Sequence, residues 1–229
     1  MEMLQGNLTL QLPKGTFPLS TDSMVLADFV RLGRNASVLD LGAGCGTLGL
    51  LLCAKDPLCH VIGVELDETA HKAALDNICR NQLTARLESI CTDLKTVPQL
   101  FRPGSFSVCV SNPPYFSGGP ASVSVPTARR EDLCSLEDLF RSASWAVKYG
   151  GDFFLVHKPE RLAEICATAA RFQMEAKRLC LVRHKAADPV NLILVQCRKG
   201  AKPGLIWQEL CLFEADGALT DRYREIYHL

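Results

Sequence analysis

The sequence of 229 residues lacks any apolar run long enough to span a bilayer. Its first six residues also lack the charged-then-apolar layout of a signal peptide. We therefore expect a cytoplasmic protein with no membrane partner. Net charge is absent as well, because 25 Lys and Arg residues balance 25 Asp and Glu residues. The composition therefore provides no overall attraction to nucleic acid.

Cysteine is abundant, but no Cys-x-x-Cys pair occurs among the eleven cysteines, and their number is odd. This pattern disfavours disulfides, redox chemistry and a metal site. Reduced cysteines that act as small apolar side chains explain this pattern better. Seven cysteines lie in apolar stretches predicted to be helix or strand, and we expect them to be buried: Cys45, Cys53, Cys79, Cys109, Cys166, Cys180 and Cys197.

One segment departs from the neutral composition. Residues 171–202 contain eight basic side chains and two acidic ones, an excess of six positive charges. Two interpretations stay open, a solvated surface and a face that contacts phosphates. The basic residues are Arg171, Lys177, Arg178, Arg183, Lys185, Arg198, Lys199 and Lys202.

Predicted strands and helices alternate along the chain, which favours a mostly parallel sheet covered by helices on both faces. We expect a single domain, with residues 1–35 as an N-terminal extension of a core at 36–229. The late strands are spaced like hairpins, so we expect them to be antiparallel. The predicted strands are 38–40, 61–65, 87–91, 106–111, 152–157, 178–183, 191–197 and 204–213, and the predicted helices are 23–31, 47–54, 69–81, 135–147 and 159–172.

A glycine-rich loop, Asp40-Leu41-Gly42-Ala43-Gly44-Cys45-Gly46, joins the predicted strand at 38–40 to a helix. Glycines allow a tight turn and let a ligand approach bare backbone. Gly44-x-Gly46-x-x-Gly49 also fits a dinucleotide-binding pattern, so a nicotinamide oxidoreductase is one alternative.

Three acids follow successive strands near this loop. Asp40 would repel a pyrophosphate but could pair with an ammonium group. Glu65 is placed to accept hydrogen bonds from ribose hydroxyls, and Asp93 to face an adenine amino group. An adenosine that carries an amino acid and no phosphates satisfies all three acids. The sequence therefore predicts S-adenosylmethionine as the cofactor.

The sequence Ser111-Asn112-Pro113-Pro114-Tyr115-Phe116 follows the predicted strand at 106–111. The two prolines stiffen the chain and remove backbone donors. The result is a rigid elbow that carries one amide side chain, free carbonyls and an aromatic ring. These groups suit a flat substrate with an NH2 group.

The glycine loop, Glu65 and the Asn-Pro-Pro-Tyr elbow together resemble the class I S-adenosylmethionine-dependent methyltransferases, which have a Rossmann-like fold. Within them, residues 17–23, 112–116 and 216–227 resemble the tRNA (adenine-N6)-methyltransferase family that acts on an anticodon-loop adenine of valine tRNA. The chain departs from this family at Ser107, where an acid is common, and we expect Ser107 to be structural.

The resemblance implies a tRNA substrate and a set of site residues. The oligomeric state stays open, with a monomer favoured. The implied catalytic residues are Asn112, Pro113, Pro114 and Tyr115. The implied cofactor-binding residues are Thr21, Asp22, Asp40, Gly42, Ala43, Gly44, Gly46, Glu65, Leu66, Asp93, Leu94 and Asn112. The implied substrate-binding residues are Tyr115, Phe116, Arg129 and Arg130.

The expected chemistry is N-methylation, in which Asn112 and the Pro113 carbonyl accept the two N–H groups of the target nitrogen while Tyr115 and Phe116 stack on the base. Three alternatives stay open besides the oxidoreductase. The target could be a protein glutamine or guanine N2 of ribosomal RNA, because the elbow could also hold a carboxamide. The chain could also be a non-catalytic partner that binds the cofactor.

Overall fold

The computed structural model describes residues 2–12, 20–113 and 134–229. The strands are β1 (Glu2–Met3), β2 (Thr9–Leu10), β3 (Ser37–Leu41), β4 (His60–Glu65), β5 (Leu87–Cys91), β6 (Phe106–Ser111), β7 (Val147–His157), β8 (Met174–Arg183), β9 (Leu192–Lys199) and β10 (Ile206–Cys211). The α-helices are α1 (Thr21–Phe29), α2 (Thr47–Lys55), α3 (Glu68–Arg80), α4 (Val97–Leu100), α5 (Leu136–Ala146), α6 (Leu162–Arg171) and α7 (Asp221–Tyr227). Short 3-10 turns cover Gln5–Asn7, Leu94–Thr96 and Pro159–Arg161.

Eight strands form one sheet in the order β10-β8-β9-β7-β6-β3-β4-β5, and β1 pairs with β2 in a separate hairpin. The sheet is mostly parallel, which confirms the predicted fold class. Strand β9 runs antiparallel to both of its neighbours, β7 and β8. Strand β10 pairs parallel with β8. The prediction of antiparallel late strands was therefore right for β9 and wrong for β10, because β10 returns to the sheet beyond the β8–β9 hairpin.

Helices cover both faces of the sheet, and each face has its own apolar core. Side chains alternate between the two faces along each strand. In β3, Val38 belongs to the core under α1, α2, α3 and α7, while Leu39 and Leu41 belong to the core under α4, α5 and α6. Asp40 shares the face of Val38. A carboxylate therefore interrupts an otherwise apolar layer.

Helix α1 begins earlier than the sequence predicted. Ser20 is its N-cap, and the Ser20 hydroxyl accepts a hydrogen bond from the Ser23 amide at 3.4 Å. The predicted start at residue 23 was therefore two residues late, since Thr21, Asp22 and Ser23 all lie inside the first turn. Ser20 has the extended backbone and short hydroxyl that favour this position.

The N-terminal hairpin is attached to α3 by two asparagines. Asn77 donates to the Gln11 carbonyl at 3.0 Å and accepts from the Gln11 amide at 2.9 Å. It also donates to the Cys45 carbonyl of the glycine loop at 3.0 Å. Asn81 accepts from the Thr9 amide at 2.7 Å. One fully buried side chain, Asn77, thus joins the hairpin to the glycine loop.

Ser107 has a structural role, as expected. The Ser107 amide donates to the Ser37 hydroxyl at 3.0 Å, and the Ser107 hydroxyl donates to the Ser37 carbonyl at 3.0 Å. These bonds connect the start of β6 to the start of β3.

All eleven cysteines are free thiols. Five of the seven expected to be buried are buried. The prediction was wrong for Cys79, which is exposed, and for Cys166, which is half-buried, because each lies on the outward side of its helix. Among the described residues, no helix is both long and apolar enough to cross a membrane.

Several of the basic side chains in 171–202 are bound within the fold. Arg198 forms a two-pronged pair with Asp152 at 2.9 and 3.0 Å. The Lys199 ammonium donates to the Val147 carbonyl at 3.0 Å, and Arg178 lies 4.2 Å from the centre of the Phe29 ring. These contacts favour the structural interpretation of this segment over a phosphate-contacting face.

Candidate cofactor and substrate site

The candidate site lies where the order of the sheet reverses. Strand β3 has β4 on one side and β6 on the other, and all three are parallel. Open α/β sheets bind ligands at the carboxyl ends of their strands, next to such a reversal. Asp40 is paired opposite Val110, so the residues that follow β3 and β6, Gly42 and Asn112, leave neighbouring strands at the same edge.

The glycine loop turns sharply between β3 and α2. Gly42, Gly44 and Gly46 have φ values of 77°, 56° and 82°, which L-residues with side chains rarely adopt. The amides of Gly42 and Ala43 both donate to the Val64 carbonyl at 3.0 Å, which fixes the loop to β4. A Cβ atom added to Gly42 or Gly44 would meet nothing within 4 Å. The loop therefore presents bare backbone to open space.

Asp40 is the most perturbed acid of the site. Its side chain is 1% exposed, and neither carboxylate oxygen has a hydrogen-bond partner in the described part of the chain. Burial raises the pKa of Asp40 to about 8, and the negative charge of Glu65 contributes to the shift. An unpaired buried carboxylate is costly. It is chemically suited to a cationic ligand.

Glu65 ends β4 and supports the glycine loop directly. One of its oxygens accepts from the Gly44 amide at 2.7 Å, and the other accepts from the Asp67 amide at 2.8 Å. Each carboxylate oxygen can accept a further bond. The neighbouring Leu66 is an apolar side chain that remains 50% exposed at the same edge.

Asp93 follows β5 and acts mainly on its own turn. It is the N-cap of the Leu94–Thr96 turn and accepts from the Lys95 amide at 2.9 Å. The Leu94 side chain packs against the core under α5. Asp93 therefore has a local structural role as an N-cap. It also follows β5 at the carboxyl edge of the sheet, which is the location that the cofactor prediction requires.

Thr21 and Asp22 lie in the first turn of α1. The Tyr227 hydroxyl of α7 donates to the Thr21 hydroxyl oxygen at 3.2 Å. Burial raises the pKa of Tyr227 to about 12, so the phenol stays protonated at neutral pH. Helix α7 in this way fixes the start of α1 beside the site.

Asn112 is positioned by its strand and by α1. The Ser111 hydroxyl donates to the Leu41 carbonyl at 2.7 Å, which joins the ends of β6 and β3. The Asn112 side-chain nitrogen donates to the Ser23 hydroxyl at 2.9 Å. No described residue bonds the Asn112 side-chain oxygen. Pro113 is buried directly after it.

Sequence reasoning missed the role of Ser23, which the sequence indicated only as the first residue of a predicted helix. The contact spans 89 residues, so no local pattern could reveal it. Of the other predicted site residues, Pro114, Tyr115, Phe116, Arg129 and Arg130 lie outside the described residues.

The described residues fit S-adenosylmethionine on two counts. Asp40 offers an unpaired buried carboxylate that matches a cationic amino-acid group. Gly42 and Gly44 leave open space over bare backbone at the same edge. The site therefore combines a buried carboxyl group that can pair with a cation and room for an uncharged nucleoside.

Comparison with known proteins agrees with this fit. A model of the methyltransferase small domain family matches residues 19–173, more than half of the chain. A tRNA1(Val) (adenine(37)-N6)-methyltransferase of Bacteroides fragilis is 32% identical over 187 residues, which cover 80% of this chain and 77% of the relative. A relative of the same name from Aeromonas hydrophila is 26% identical and covers 91% of this chain and 87% of its own.

The fold has a solved counterpart in a predicted O-methyltransferase from Agrobacterium tumefaciens, with a TM-score of 0.76 and 23% identity over 91% of this chain and 96% of that one. The fold and the site thus define an S-adenosylmethionine-dependent methyltransferase, which confirms the predicted enzyme class and cofactor. The chain belongs to the methyltransferase small domain family.

Proposed function

We propose that this protein transfers a methyl group from S-adenosylmethionine to N6 of an adenine in tRNA, in the anticodon loop of valine tRNA. The observation that carries the proposal is the Asn112 amide, whose oxygen has no partner in the described residues while its nitrogen is bound to Ser23. Such an acceptor suits an exocyclic NH2 group. The names of the relatives from Bacteroides fragilis and Aeromonas hydrophila support adenine as the base and tRNA as its carrier.

The proposed cofactor site uses residues on both sides of the glycine loop. Asp40 pairs with the amino group of the methionine part, and Glu65 accepts from the ribose hydroxyls. Leu66 contacts the adenine ring, whose amino group faces Asp93. The other residues of the cofactor-binding set that the resemblance implies are Thr21, Asp22, Gly42, Ala43, Gly44, Gly46, Leu94 and Asn112. When bound, S-adenosylmethionine supplies a methyl group that a sulfonium has already activated.

The protein then has to prepare the nitrogen, because the lone pair of an aromatic amine is delocalised into its ring. Asn112 accepts one N–H and the Pro113 carbonyl accepts the other. These two bonds favour a pyramidal nitrogen and strengthen as positive charge develops on it, which is the differential binding that accelerates a step. Positioning of the nitrogen accounts for much of the remaining acceleration. The methylated nitrogen is acidic enough to lose its extra proton to water.

Pro114 and Tyr115 complete the proposed catalytic elbow. Tyr115 and Phe116 stack on the base, while Arg129 and Arg130 contact the RNA. A base in structured RNA has to turn outward to reach such a pocket.

The test is methyl transfer from labelled S-adenosylmethionine to total RNA, followed by digestion and identification of the labelled nucleoside. We expect N6-methyladenosine in tRNA. We expect Asn112→Ala to lose transfer and to keep cofactor affinity, measured by calorimetry. Gln99→Ala is the matched control, since it removes an exposed carboxamide on α4. Label in protein alone, or turnover of Asn112→Ala within a few-fold of the unmodified protein, would refute the proposal.

A further inference from the structure

We propose that Ser23 is the positioning residue that sets which end of the Asn112 amide faces the substrate. The Asn112 nitrogen donates to the Ser23 hydroxyl at 2.9 Å, and no described residue takes up the Asn112 oxygen. The inference rests on the proposed function, because it assigns the device that keeps an acceptor directed at the target nitrogen.

An amide side chain needs such a device because its two ends are chemically opposite. The oxygen accepts hydrogen bonds and the NH2 group donates them. A target NH2 group is recognised by the oxygen, and a turn of the amide by 180° presents a donor to a donor. Ser23 selects one of the two orientations by directing its own hydroxyl proton at the Ser20 hydroxyl, 3.5 Å away, which leaves the Ser23 oxygen to accept from the Asn112 nitrogen.

Ser23 is itself firmly placed. It is 7% exposed and lies in the first turn of α1, next to the buried Met24. Its hydroxyl lies 3.5 Å from the hydroxyl of the N-cap Ser20. At the other end of α1, the Lys55 ammonium donates to the carbonyls of Ala27 and Val30 at 2.9 and 2.7 Å. The helix therefore holds the acceptor for Asn112 at a fixed position.

An orienting role of Ser23 can be distinguished from a merely structural one by testing the same substitution in a protein that carries Asn112→Asp. An aspartate has two equivalent acceptor oxygens, so its orientation does not matter. We expect Ser23→Ala to lower kcat about tenfold in the unmodified protein, the effect of one lost hydrogen bond to a group that acts in the transition state. In the Asn112→Asp background, we expect the same change to lower kcat by less than about twofold. The KM for S-adenosylmethionine should stay unchanged in both.

Ser23→Thr provides the rescue, since it restores a hydroxyl at the same atom position. We expect it to recover most of the kcat that Ser23→Ala loses. The melting temperature of each variant reports whether α1 remains folded. An unchanged kcat in Ser23→Ala, or an equal loss in both backgrounds, would overturn the proposal.

The orientation of Asn112 can also be measured without turnover, from its side-chain amide signal in a ¹⁵N–¹H spectrum. The signal is assigned by its disappearance in Asn112→Asp. We expect slow exchange of one NH2 proton with water, and faster exchange in Ser23→Ala. Equal exchange rates would overturn the inference even if Asn112→Asp were inactive. A chain that labels no RNA but shows this protection would refute the proposed function and leave the orientation of Asn112 intact.

Discussion

The unpaired carboxylate of Asp40 makes the affinity for S-adenosylmethionine depend on pH within the neutral range. Burial, with a contribution from Glu65, raises the pKa of Asp40 to about 8. Most of the free protein therefore carries a protonated, neutral Asp40 at pH 7. A cationic cofactor binds the ionised form, so binding at this pH has to release a proton.

The size of the effect follows from the fraction of protein in the ionised form. The apparent dissociation constant is the intrinsic one divided by the fraction of protein with ionised Asp40, so it should be about elevenfold higher at pH 7 and about a hundredfold higher at pH 6 than for protein with Asp40 fully ionised. Each pH unit corresponds to about 1.4 kcal/mol of binding free energy in this range. A surface carboxylate with an ordinary pKa would produce no change between pH 6 and pH 8.

Calorimetry checks this expectation in two ways. Titrations at pH 6, 7 and 8 give the dissociation constant, and titrations at pH 7 in buffers of different ionisation enthalpy give the number of protons released, which we expect to be about 0.9 at a pKa near 8. Asp40→Asn should bind weakly and lose the pH dependence. Asp76→Asn is the matched control, because Asp76 is exposed on α3.

The same pKa predicts the stability of the free protein. A carboxyl that holds its proton more tightly when folded makes folding less favourable as the pH rises from 3.8 to about 8. Asp40→Asn should therefore raise the melting temperature of the cofactor-free protein at pH 8.

A dissociation constant that is flat between pH 6 and pH 8, together with no proton release, would refute the reasoning.

Two further predictions concern buried polar groups near the site. Asn77→Ala removes three hydrogen bonds, to the Gln11 amide, the Gln11 carbonyl and the Cys45 carbonyl, and should lower the free energy of unfolding in urea by about 2–4 kcal/mol. Asn77→Ala should also weaken cofactor binding, because Asn77 bonds the glycine loop at Cys45. An unchanged midpoint of unfolding in urea would contradict the stabilising role of Asn77. Burial lowers the pKa of His157 to about 4, so the folded protein resists protonation that the unfolded chain accepts near pH 6.5. Stability should fall as the pH drops from 6.5 towards 4, and His157→Gln should reduce that loss. Melting temperatures of the unmodified protein and of His157→Gln that change equally with pH would contradict this role of His157.

Much of the fold could be predicted because the local patterns were strong. The strands that flank the glycine loop alternate with helices, and β5 and β6 have the bounds that the sequence indicated. The last strand could not be placed from spacing alone. Its parallel pairing with β8 depends on which edge of the finished sheet is free, and hairpin-like spacing carries no information on that point.

The site was predictable to the extent that its residues lie close together in the sequence. The glycine loop and Asn112 each belong to a short motif that follows a strand. The roles of Ser23 and Asn77 were not predictable, because each bonds a partner through contacts across 32 to 89 residues. Buried polar residues within helices give no local signal for such contacts. The cluster of basic residues at 171–202 was visible in the sequence, but its internal partners were not.

The bond between Tyr227 and Thr21 has a consequence for the order of events during synthesis. These residues are 206 positions apart, so α1 cannot gain the support of α7 until nearly all of the chain has been made. At usual rates of translation, residue 227 emerges roughly 11 to 45 s after the first residues. The helix that carries Ser23 is thus among the first parts made and among the last to be secured.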